Sequence, residues 1–279
     1  MPAGPEAHRH ILDEIARDLA GDANFPTCLD AALLIRNTLS DPFADLDHVA
    51  RAVGIEPLIS SRLLHLANST AFNPSGARIS SLATVIGRLG FNVVRTISLA
   101  VAMDQMLKSK QLTSHQRIAH EAWACAVQVA AIARVLARRL GRISPDEAML
   151  AGLVHNIGIF YLLYRAGNHL EYQDNEPLLL ELLAAWHTST AARLLEHLGL
   201  PATITEAVRD QRQPHPITAP SSISDILHIA VTLANCPVRQ AGRPTESELA
   251  VIHEVNMHYA ELLKEADDDL VALRAALSP

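Results

Sequence analysis

An all-α fold of many compact helices is predicted by three observations. Ala and Leu recur throughout while aromatic residues make up 4% of the 279 positions, a balance that favours helices over strands. Apolar residues return at spacings of three and four in one segment after another. These segments begin and end at capping residues, Gly or Pro. A hydrophobic share of 49% is enough for the core of one large domain or two modest ones.

In chain order, helices fit His8 to Ala20, Thr27 to Leu39, Leu46 to Val53, Pro57 to Ala67, Ser81 to Leu89 and Asn92 to Lys108. The segment Thr113 to Leu140 carries the clearest stripe, with Ile118, Ala122, Ala126, Val129, Ala133, Leu136 and Leu140 on one buried face. Ser144-Pro145-Asp146-Glu147 then combines an N-cap serine, a proline at the first helical position and a glutamate placed to close a capping box. The helix it opens is expected to run through His155 and Asn156 to about Tyr164. It is apolar on almost every side, which puts it at the centre of a bundle and buries both polar residues.

Further helices are predicted from Glu176 to His197, Pro201 to Gln211 and Ser221 to Asn235, with a proline-rich loop between the last two. Thr245-Glu-Ser-Glu248 is a second capping box, followed by Leu249, Ile252, Val255, Tyr259 and Leu262 on one face that should pack on the chain's own core. Absence of a fixed-period repeat or a long low-complexity tract argues for two packed helical halves rather than tethered domains.

A net charge of -7 argues against a broad phosphate-binding surface. Cys28, Cys125 and Cys236 are far apart, odd in number and free of CxxC spacing, so neither a disulfide framework nor a zinc ribbon is expected, and a reducing cytoplasm fits best. Neither a secretory leader nor an uncharged run of membrane-spanning length is read from the sequence.

Ordered short motifs add a resemblance. Phe25-Pro26, Ser40-Asp41-Pro42, Leu46-Asp-His-Val-Ala50, Glu56-Pro57-Leu58-Ile59, Asn68-Ser69, Ile79-Ser80-Ser81-Leu82 and Leu89-Gly90 are followed by Trp123, Gly152-Leu-Val-His155-Asn156-Ile-Gly158, His187 and Leu200-Pro201. This series resembles the HDOD domain, a helical module of bacterial signalling proteins. The resemblance implies an HDOD domain over 25–240, with an N-terminal helical half at 25–112 packed on an HD-like half at 113–240. A helix at 1–24 precedes it, and C-terminal helices at 241–279 pack on it.

HDOD domains are similar to HD phosphohydrolases, in which a histidine, a His-Asp pair and a distant aspartate surround divalent cations. Mapped by motif, the first histidine falls at or near Cys125, the pair becomes His155 and Asn156, and the last aspartate falls near Val231 or Thr232. Asparagine brings no negative charge, and neither Val nor Thr replaces a carboxylate, so the resemblance implies a remnant pocket of Cys125, His155, Asn156 and His187 without a catalytic role. No cofactor is expected. The competing reading is a zinc or other divalent ion on Cys125, His155 and His187, against which a buried Cys and a core His are the ordinary alternatives. Pro57, Asn68, Ser69, Gly90, Trp123, Gly152 and Gly158 are assigned to architecture, Asn68 as a left-handed helix end and Gly90 as a turn.

The resulting expectation is a non-catalytic adaptor that signals through protein contacts, with a small ligand in the remnant pocket as an extension. Its expected partners are other signalling proteins in trans, with a homodimer and a nucleotide as further candidates and neither membrane nor nucleic acid. No receiver, cyclase or kinase module is read in the sequence, and Arg165 and Arg209 are the basic residues that could come near the pocket. One alternative is a divergent metal-dependent phosphohydrolase drawing ligands from His169, His187, Asp210 or His215. The other is a helix-turn-helix at 46–64, opposed by four acids against Arg51 and Arg62 between Asp41 and Asn68.

Overall fold

The computed structural model describes residues 8–18, 30–236 and 245–277. Among these there is no strand. The helices are α1 (Arg9–Arg17), α2 (Asp30–Leu39), α3 (Leu46–Gly54), α4 (Pro57–Ala67), α5 (Leu82–Leu107), α6 (Gln116–Leu140), α7 (Pro145–Val154), α8 (Ile157–Ala166), α9 (Leu170–Gln173), α10 (Glu176–His197), α11 (Ala202–Asp210), α12 (Ile223–Ala234), α13 (Glu246–Tyr259) and α14 (Leu262–Leu277). A short 3-10 helix, Lys110–His115, leads into α6. The Phe25-Pro26 motif and Cys28 lie outside the described residues.

In the N-terminal half, α2, α3 and α4 pack on α5, and in the HD-like half α6 lies against α7 and α12 while α10 covers α8 and α11. Contacts of α5 with α7 and α8 join the halves. The C-terminal helix α14 touches α6, α4 and α5, so it belongs to both halves. Its buried Asp269 accepts a 2.7 Å hydrogen bond from Arg134, and that guanidinium also lies 4.0 Å from the centre of the Phe72 ring.

Several expectations hold because the caps are legible. Ser144 accepts from the Glu147 N–H, the serine half of the expected box, and the box expected at Thr245–Glu248 closes in both directions; a further box, not read from the sequence, closes at Ser222–Asp225. Gly90 has φ +80° and ψ 164°, a conformation open to glycine, and there α5 bends into the two segments expected around it.

Other expectations are corrected. The helix opened at Ser144 does not run through to Tyr164: it breaks at His155-Asn156, where α7 ends and α8 starts. Apolar periodicity continues across the break because both helices are buried all round, so the pattern carries no signal of it. The stripe Leu249 to Leu262 is likewise divided by a turn at Ala260-Glu261, and Leu249 stays 53% exposed.

Asn68 is not left-handed, with φ −98° and ψ 0°. Instead its side chain donates to the Leu64 and Ile79 carbonyls and accepts from the Ile79 N–H, each at 2.8 Å, closing the loop that follows α4. Ser69 donates back to the Leu66 carbonyl, and Pro57 occupies the first turn of α4. The cysteines are not all unpaired: Cys125 and Cys236 form a disulfide with Cα atoms 5.7 Å apart. Their 111-residue separation hides the pairing, which arises because α6 and α12 lie side by side.

Two stretches, Leu82–Leu107 and Pro145–Ala166, are long and apolar enough to cross a membrane, but 67% and 89% of their apolar windows are buried inside the fold. Their apolarity serves the core.

Candidate functional site

The break between α7 and α8 sets the site. His155 at the end of α7 places Nδ1 2.6 Å from the Gly152 carbonyl, which requires the proton on that nitrogen. Its Nε2 then faces Cys125 Sγ at 3.9 Å. Asn156 turns its amide toward the Ala122 carbonyl at 3.3 Å, so a buried polar side chain is satisfied by the backbone of α6. Gln211 at the end of α11 donates to the His155 carbonyl at 3.1 Å and fixes the break from the other side.

Close helix approach makes this arrangement possible. A Cβ on Gly158 would stand 2.0 Å from the His187 carbonyl oxygen, and one on Gly152 would stand 2.7 Å from the Ala130 Cα. Those positions let α10 and α6 pack directly on the two short helices. His187, on α10, directs Nδ1 to the Leu183 carbonyl one turn back. Trp123 meets Phe160 edge-on at 6.4 Å, and both Trp123 and Trp186 are partly buried against the core.

The structure brings Cys125, His155, Asn156 and His187 together around one cavity of about 50 Å³, with Val231 and Cys236 in its wall. Sequence reasoning placed the first four there but missed Cys236, Gln211 and Arg212, which follow the aligned motifs without motifs of their own. Among the described residues lining the cavity none is a carboxylate, and the one charged side chain is that of Arg212, which donates to the Ala184 carbonyl. Thr232, the other position mapped to the lost aspartate, turns its hydroxyl back to the His228 carbonyl.

The set of Cys125, His155 and His187 for zinc is corrected: Cys125 Sγ is bonded to Cys236 and is no thiolate ligand in this state. Alternative ligands are dispersed. His169 lies 3.1 Å from a Glu14 oxygen, His215 lies 3.3 Å from Asp225, and Asp210 accepts from Gln213. The basic residues expected near the pocket are engaged elsewhere, Arg165 with Asp18 and Arg209 with Glu196.

A model of the HDOD domain matches residues 25–214, more than half of the chain. The chain belongs to the HDOD family. It is thus a member of a signalling family, and its HDOD match starts after α1 and ends before α12. No functionally curated relative matches it in sequence.

Among solved structures, this HDOD protein is similar to one from Shewanella amazonensis SB2B, provisionally named a metal-dependent phosphohydrolase. The identity is 22%, with 97% of this chain and 99% of that one covered and a TM-score of 0.76. An HDOD domain protein of unknown function from Geobacter sulfurreducens matches with 22% identity, coverage of 95% and 98%, and a TM-score of 0.63. A protein from Marinobacter aquaeolei VT8, provisionally named for signal transduction, matches with 20% identity over 99% of this chain and 67% of its own, at a TM-score of 0.61. At these identities the likeness is one of fold.

Proposed function

We propose that this HDOD protein is a non-catalytic signalling adaptor that acts through protein–protein contacts. One observation carries the reading: among the described residues the pocket aligned with the HD metal site is lined by no carboxylate, and its cysteine is tied up in a bond to Cys236. A divalent cation and an activated water need anionic ligands, whereas this pocket offers imidazoles, an engaged amide and a nearby arginine cation. The volume supports the same reading. A cavity of about 50 Å³ is far below the roughly 300–1,000 Å³ of small-molecule sites, so a nucleotide does not fit this conformation.

The helix-turn-helix alternative is disfavoured by Arg62. It is buried in the core, 3.9 Å from the Asp104 carboxylate, rather than displayed for phosphate contact. With contacts as the output, signalling partners in trans or a second copy of the chain are the proposed recipients.

The test is turnover of a simple phosphate diester by untagged protein supplied with Mn²⁺ or Mg²⁺, alongside His155→Ala. The expected result is the same background rate for both proteins. Turnover that needs added metal and disappears in His155→Ala would establish a phosphohydrolase and overturn the adaptor reading.

A further inference from the structure

Outside the remnant pocket, a second group of metal-ligating side chains converges where α1 meets the α8–α9 connection. His10 and Glu14 stand one turn apart on α1 and share a face, and His169 caps the start of α9. Glu14 offers one oxygen to each imidazole: Oε1 lies 3.4 Å from His10 Nδ1, and Oε2 lies 3.1 Å from His169 Nε2. One ligand atom from each of the three residues can be chosen so that all lie within 4.8 Å of one another.

We propose that His10, Glu14 and His169 form a binding site for a divalent transition-metal ion, with zinc the best match. Two imidazoles and one carboxylate are borderline ligands suited to that ion, and they leave a fourth tetrahedral position for water. Metal–ligand bonds of about 2.0–2.1 Å in a tetrahedron set neighbouring ligand atoms roughly 3.3 Å apart. Each imidazole already stands near that spacing from one Glu14 oxygen, His10 from Oε1 and His169 from Oε2, so the carboxylate turns to offer a single oxygen to the ion. The two rings meet edge-on with centres 5.3 Å apart, and rotation of the His10 side chain, which is 73% exposed, brings the third ligand in.

Backbone placement favours the site as well. His169 is held by its own N–H on the Ala166 carbonyl and by the Tyr172 N–H on its carbonyl, so α1 closes onto a fixed ligand. Since α1 precedes the HDOD match and His169 lies within it, a bound ion clamps an accessory helix to the family fold. Metal supply then sets how firmly α1 is docked. The ligand set is separate from the remnant pocket, and the inference does not depend on the adaptor reading.

Zinc titration of the full-length untagged protein, by calorimetry and by elemental analysis after gel filtration, tests the proposal. The expected result is one ion per chain. Loss in His10→Ala, Glu14→Gln and His169→Ala should be at least about tenfold in affinity, the low end of what removal of even an outer partner produces. Zinc should also slow backbone hydrogen exchange over residues 8–18. Because His10 is exposed, His10→Ala should keep the parent circular dichroism spectrum. Failure to bind zinc, a hydrogen bonded cluster only, would overturn the proposal, and so would binding unchanged by His10→Ala and His169→Ala.

Discussion

Asn68 ties the end of α4 to a loop eleven residues on, through one donated and one accepted hydrogen bond with the Ile79 backbone. Replacing it with alanine leaves both Ile79 backbone groups without that partner, which should cost about 1–3 kcal/mol. Urea unfolding of Asn68→Ala against the parent measures the loss, and an unchanged midpoint would contradict the clasp. At this scale the sequence showed which residues matter better than it showed how. Asn68 was legible as a signature position, but its left-handed role was wrong, because a side-chain amide can end a helix by reaching across a loop as well as by adopting an unusual φ. Asn156 was read correctly as buried, and its amide meets the Ala122 carbonyl, since burial without a partner is costly for that group.

Helix ends were legible where a cap was read from the chain, as at Ser144 and Thr245. They were illegible where tertiary packing alone decides them. The break at His155-Asn156 lies between two helices buried on all sides, and the 3-10 helix before α6 lies within a segment whose first residues read as helix. That short helix makes a prediction about pH. Burial holds the His115 imidazole below its ordinary 6.5, with Glu176 and the Ser114 backbone opposing, and its Nε2 is buried without a hydrogen-bond partner. A depressed folded value means the stabilisation is present above pH 6.5 and lost as pH falls through the folded value. His8, where burial acts in the same direction against the opposing Glu181, shares that sign. Urea unfolding at pH 7.5 and pH 5 should therefore show lower stability in acid, with a smaller difference in His115→Gln. An equal difference in the variant would remove His115 as its cause.

Across the molecule, the all-helical HDOD fold was legible from the order of motifs, but the long-range contacts that hold it together were not. The C-terminal helix α14 was expected to pack on the domain, but its joint contact with α4, α5 and α6 and its burial of Asp269 against Arg134 were not expected. Long-range pairings of this kind leave no local trace, and the Cys125–Cys236 bond is the extreme case. Closing a loop of that length restricts the unfolded chain, so reduction should lower stability by about 2–4 kcal/mol. Denaturant titration with and without dithiothreitol measures it, with Cys236→Ser as the matched variant that should no longer respond to the reductant.

The same bond has a consequence for cleavage. It makes a covalent ring of everything from Cys125, within α6, to Cys236, just past α12, and the exposed Arg212 side chain sits in a loop of that ring, between α11 and α12. A tryptic nick there would leave two fragments migrating as one band on a non-reducing gel and separating only when thiol is added. The HD-like half is thus built so that a severed backbone need not mean a divided protein.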